Sequence, residues 1–167
     1  MLKTIGLIIL ILSGTLKGVT VSEKYSKRVR FLRSYIDFLI HLKSQISYSE
    51  KTLFEILKNY SCPQILKTRL NKCLQNFDSD SFENLWKNAF LDAYIETGIT
   101  SEENSMIINF GKEIGKYDVS EQINYISYSL DFFQNHIKDA LDNLNSKGKL
   151  PIIIGVCLGF AVALILM

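Results

Sequence analysis

Proline is nearly absent from this chain, histidine is scarce, and the three cysteines are an odd number. Between Glu23 and Lys149 the one proline is Pro63, so no other residue there forces a helix to stop. Alternating apolar and polar runs of strand type are missing as well. His41 and His136 have neither a second histidine nor a cysteine at ligand spacing, so no zinc-site pattern is written here. Cys62, Cys73 and Cys157 cannot close a disulfide framework, and the last lies in a hydrophobic segment; all read as reduced, packed thiols. A phosphate loop is lacking too, because the closely spaced Gly111 and Gly115 fall in a helix and its C-terminal cap rather than between strand and helix. Glu102, Glu103, Asp118 and Glu121 could pass for paired carboxylates. Each sits in a first helical turn, however, where negative charge already favours the helix dipole. These absences argue against an enzyme, and no cofactor or metal is expected.

What the chain does have is a hydrophobic run at each end. Leu150 to Met167 is 18 residues without a charge, eleven of them Leu, Ile, Val or Phe. As a helix it is about 27 Å long, enough to cross most of a bilayer's hydrocarbon core. The N-terminal run, from Thr4 to about Val21, carries one charge, Lys17, placed to snorkel out at the inner end. No small-residue cleavage site follows Ile5 to Leu12, so an uncleaved anchor is favoured over a secretory signal. The expected organisation is an anchor over residues 1–22, a helical domain over 23–149 and a transmembrane helix over 150–167. Lys24, Lys27, Arg28, Arg30 and Arg33 follow the first run, and Lys147 and Lys149 precede the second. By the excess of basic residues on the cytosolic side, the middle domain is cytosolic and both termini are outside. The five N-terminal ones fall on all sides of a helix, which suits a collar at the lipid headgroups better than a nucleic-acid face.

Apolar residues of the middle domain recur at helical spacing. Tyr25, Val29, Leu32, Ile36, Leu39 and Ile46 form one stripe of a first helix, and Phe31, Tyr35, Phe38 and Leu42 a second. Ile123, Ile126, Leu130, Phe133, Ile137, Ala140 and Leu144 keep a three-four alternation, a seam that can line a bundle or pair with a copy of itself. Capping boxes are read at Ser47 with Glu50, Asp80 with Glu83, Thr100 with Glu103, and Asp118 with Glu121. With Pro63 as an opener and Gly98 and Gly115 as left-handed caps, they predict helices near 23–46, 49–60, 63–77, 81–97, 101–114 and 119–146. The fold class is therefore all-α, a six-helix bundle between two membrane helices.

Charge is divided along the chain. From Glu23 to Lys72 the net is +7, and from Cys73 to Ser146 it is −9. Either the halves pack together and neutralise, or the acidic helices face a basic partner and the basic ones face lipid or an acidic partner. In the last segment Gly155, Gly159 and Ala163 recur every four residues, the small-residue pattern by which membrane helices approach closely.

The stretch Phe110 to Gln122, FGKEIGKYDVSEQ, resembles an F-G-x-x-L-G-x-x-D-x-x-x-Q element of the stage III sporulation protein AB family, with Phe110, Gly111, Gly115, Asp118 and Gln122 matching and Ile114 replacing the leucine. A second stretch, QISYSEKTLFE, is similar to the family's E-I-x-Y-x-x-T-P-L-x-E through Ile46, Tyr48, Leu53 and Glu55. It departs at Gln45 and at Lys51-Thr52. The resemblance implies a protein of endospore-forming bacteria in the mother-cell membrane around the forespore, required in a multiprotein channel. It further implies a soluble domain similar to the platform domains of type II secretion and type IV pilus machines. The implied partners are the AA protein of the same system, an ATPase, and the channel's other membrane components, with a homo-oligomer possible and no nucleic acid. The alternative is a self-associating membrane scaffold or adaptor without a motor, built on the last helix's seam and the glycine face.

Overall fold

A computed structural model describes residues 2–49, 51–75, 77, 80–148, 153, 154, 157 and 161, with side chains from Ser22 onward. The described residues are helical, without strands: α1 Leu2–Tyr48, α2 Leu53–Asn59, α3 Gln64–Leu74, α4 Phe82–Phe90, α5 Ala93–Thr97, α6 Ser101–Glu113 and α7 Val119–Lys147. Among the described residues no helix is long and apolar enough to cross a membrane. The side chains of the N-terminal hydrophobic run, and Gly155, Gly159 and Ala163, lie outside the described residues. The two expected transmembrane helices therefore draw no support from the structure.

Three boundaries differ from the sequence reading. The first anchor and first bundle helix are one helix, because Ser22, Glu23 and Lys24 between them contain neither proline nor glycine to break it. That helix also runs on through Ser47, whose hydroxyl donates back to the Lys43 carbonyl at 2.8 Å instead of capping α2. The α2 cap is Thr52, in a complete box with Glu55: the Glu55 N–H reaches Thr52 Oγ1 at 3.3 Å and the Thr52 N–H reaches Glu55 Oε2 at 2.9 Å. At α4 the cap is Ser81 rather than Asp80, whose carboxylate instead accepts from the Ser81 N–H at 2.7 Å. Thr100 and Glu103 form the box expected of them, and Gly98 and Gly115 have φ of 74° and 86°.

The expected fourth helix is split into α4 and α5 at Leu91 and Asp92. Two tertiary bonds explain the break. The buried Arg69 donates Nη1 to the Ala89 carbonyl at 3.0 Å, and Asn104 donates Nδ2 to the Leu91 carbonyl at 3.4 Å. Both carbonyls would otherwise accept from the next turn of the same helix. Arg69 also pairs with Glu96, tying α3 to α5 and the basic half of the chain to the acidic half.

The chain divides into two compact units, Arg30–Lys138 and the ends, Met1–Val29 with Asp139–Met167. In the first unit an aromatic cluster makes the core. Tyr35 of α1 meets Phe133 of α7 edge-on at 4.8 Å and approaches Phe90 of α4 and Phe110 of α6, both at 6.4 Å. Phe38 stacks over Trp86 at 6.0 Å. All six rings are at most 1 % exposed, and burial of each contributes about 2 kcal/mol. Glu103, fully buried at the start of α6, faces His136 of α7 with 3.1 Å between Oε1 and Nδ1. Four residues of the α7 seam, Ile126, Leu130, Phe133 and Ala140, are at most 8 % exposed, while Ile123, Ile137 and Leu144 are half-buried.

Candidate interaction site

The five residues of the Phe110 to Gln122 element form the corner between α6 and α7, and each has a distinct place in it. Phe110 belongs to the core, its ring stacked on Tyr125 at 5.9 Å. Gly111 lets α4 and α6 come together, since a Cβ there would overlap the Cγ and Cδ1 of Trp86 and stand 2.7 Å from its Cβ. The indole is fixed by its own bond, Nε1 to the Ile107 carbonyl, at 2.7 Å. After α6 ends, Gly115 turns the chain in the left-handed region that only glycine enters without strain. Asp118 caps α7 by accepting the Glu121 N–H at 2.8 Å, and the Ser120 hydroxyl at 2.9 Å. These bonds hold its carboxyl below the usual carboxylate range. Gln122 closes the corner by donating Nε2 to the Tyr117 carbonyl at 2.7 Å.

Two depressions flank this connection. One, of about 340 Å³, lies between Ile46, Leu53 and Ile56 on the α1–α2 side and Gly115, Val119 and Gln122 on the corner side. The two stretches that carry the sequence resemblance thus meet around one cavity. The other is an open groove of about 450 Å³, lined by Glu113, Tyr117, Glu121, Asn124 and Tyr125. The Tyr117 hydroxyl donates to Glu113 Oε2 at 2.7 Å, and that bond with the neighbouring carboxylate charge raises the phenol's pKa. Exposed apolar side chains surround the corner, Val119 at 55 % and Tyr128 at 61 %.

The basic collar is carried by α1: Lys24, Arg30 and Arg33 are exposed, Lys27 pairs with Glu23 at 3.1 Å, and Arg28 is half-buried. Among the described residues no group of three His, Cys, Asp or Glu is placed to hold a metal ion. Burial pushes the Cys73 thiol up to about 12, which keeps it protonated and unreactive. Sequence reasoning missed Glu113, Tyr117, Tyr125 and Val119. Their only signal was a run of tyrosines at 117, 125 and 128 beside carboxylates, lying off the core stripe of α7.

The described residues thus make a helical fold with two depressions beside its α6–α7 corner. The family model for stage III sporulation protein AB matches residues 3–167, and the chain belongs to that family. It is similar to the stage III sporulation protein AB of Bacillus subtilis (strain 168), at 23% identity over 173 aligned positions that cover 100% of both chains. No solved structure matches it significantly.

Proposed function

We propose that this sporulation protein is a non-enzymatic membrane platform component of the channel between mother cell and forespore, coupling a cytosolic ATPase to the membrane assembly. The observation that carries this reading is the meeting of residues 46–56 and 115–122 around one cavity. Positions far apart in sequence that share the resemblance also share one accessible site, as a docking surface requires and a purely internal packing motif does not. The hydrophobic ends support anchoring at both termini, in the mother-cell membrane around the forespore, with Lys24, Lys27, Arg28, Arg30 and Arg33 at its cytosolic face. The self-associating scaffold is the weaker reading, because Ile126, Leu130, Phe133 and Ala140 of the helical seam it needs are buried in the protein's own fold. The test is binding of the purified stage III sporulation protein AA-like ATPase to the full chain in lipid nanodiscs. A saturable complex is expected; no complex at tens of micromolar, about the weakest affinity a specific contact would show, would overturn the proposal.

A further inference from the structure

We infer that the groove of Glu113, Tyr117, Glu121 and Tyr125 is a seat for a cationic side chain, an arginine or lysine on a basic segment of a partner protein. The inference rests on the contact-protein reading above and adds which surface meets which chemistry. Its lining contains two carboxylates and no cation. Neither of the neighbouring lysines in sequence, Lys112 and Lys116, lines the groove, and Lys116 is tied to Glu83 of α4 at 3.4 Å. Glu121 has no hydrogen bond or ion pair through its side chain among the described residues, so its charge is open to a ligand. Tyr117 is hydrogen-bonded to Glu113 and Tyr125 stacks one ring face on Phe110, so both phenol rings line the groove beside the two charges. Ring faces beside carboxylates are the surroundings a guanidinium favours, through cation–π contact and charge-assisted hydrogen bonds together.

The neighbouring cavity differs in kind. Lys51 lines it along with Ile46, Leu53 and Val119, so it repels a cation and accepts an apolar side chain. The corner therefore offers one place for a positive side chain and a separate one for an apolar side chain. The net of −9 over Cys73 to Ser146 steers such a segment toward this half of the chain.

The probe is a fluorescent twelve-residue peptide of repeated Arg-Leu-Ala-Ala, titrated by anisotropy into the full-length protein in uncharged detergent. Its counterpart with glutamate for arginine is the control. The arginine peptide is expected to bind, the glutamate peptide not, and the double substitution Glu113→Gln with Glu121→Gln to weaken binding about tenfold at low salt. Both positions are at least partly exposed, so the substituted chain keeps its fold, checked by Trp86 emission. Equal binding to parent and double variant would overturn the inference, as would absence of binding. Self-association of the parent that the double variant loses would overturn it in favour of a second copy as occupant. The platform reading fails separately: an ATPase that binds both forms equally refutes only the groove, and an ATPase that binds neither while the peptide binds the parent refutes only the motor partner.

Discussion

Replacing Gly111 by alanine adds one methyl group where Trp86 leaves no room for it. The added Cβ would overlap two indole carbons, and the ring cannot simply swing away, because it is fully buried and anchored by Nε1 to the Ile107 carbonyl. Overpacking of a filled core costs about 1–3 kcal/mol. Displacing the indole from the carbonyl leaves a buried donor unpaired, at about 1–3 kcal/mol more. Alanine's better helix propensity returns about 1 kcal/mol. The expected net loss is about 1–5 kcal/mol. Urea unfolding of the full chain in detergent can be followed through Trp86, the single tryptophan, whose native emission should also shift to the red as the ring is pushed outward. Gly115→Ala is the control for a glycine needed only by its backbone. Nothing lies within 4 Å of its would-be Cβ, so only the φ of +86° opposes it, at about 1 kcal/mol. Stability of Gly111→Ala within about 0.5 kcal/mol of the parent, with unmoved emission, would refute the claim that α4 and α6 meet through indole on glycine.

Three further outcomes are expected. Tyr35 buries a hydroxyl with no hydrogen-bond partner, so Tyr35→Phe should leave thermal stability unchanged or raise it by about 1 kcal/mol. Burial also raises the Tyr35 pKa well above 10, so the unfolded chain loses this proton first. Stability should therefore fall as pH rises above about 10, and calorimetry should show that limb flattened in Tyr35→Phe. Asp118→Asn keeps an N-cap and should be nearly neutral at pH 7. The carboxyl's lowered pKa means that its contribution is whole above about pH 4 and lost as pH falls through the folded value, so the variant should lack that part of the acid loss in an acid titration of the fold. Arg69→Met removes the bond to the Ala89 carbonyl and the pair with Glu96, and should lower the denaturation midpoint by an amount equivalent to about 2 kcal/mol. Most of that belongs to the buried carbonyl, since the Glu96 side chain is 68% exposed and screened by solvent.

The parts of this fold legible in the sequence are those governed by local rules. Helical periodicity picked out Leu32, Tyr35, Phe38 and Phe133 for the core, and the cap at Thr100, the cap at Asp118 and the turn at Gly115 follow from residue type alone. Where two local solutions compete the reading slips: Ser47 with Glu50 and Thr52 with Glu55 are both acceptable boxes, and continuation of α1 to Tyr48 decides for the second. The break at Leu91 was not legible at all, because the groups that take the carbonyls come from Arg69 and Asn104, on other helices. The site divides in the same way. Phe110 to Gln122 is a visible motif, but its meeting with Ile46, Leu53 and Ile56 is tertiary, and the tyrosine groove beside it depends on which face of α7 the core leaves outside.

The central claim is that the α6–α7 corner is where this protein meets its motor partner. A photo-crosslinking amino acid placed at Val119, on the exposed rim of the cavity, addresses it in sporulating cells, with the same group at Ile95 of α5, 67% exposed, as the comparison. The account predicts an adduct with the stage III sporulation protein AA-like ATPase from position 119 and none from position 95. An adduct from position 95 alone, or adducts from position 119 only with other copies of this chain, would contradict it.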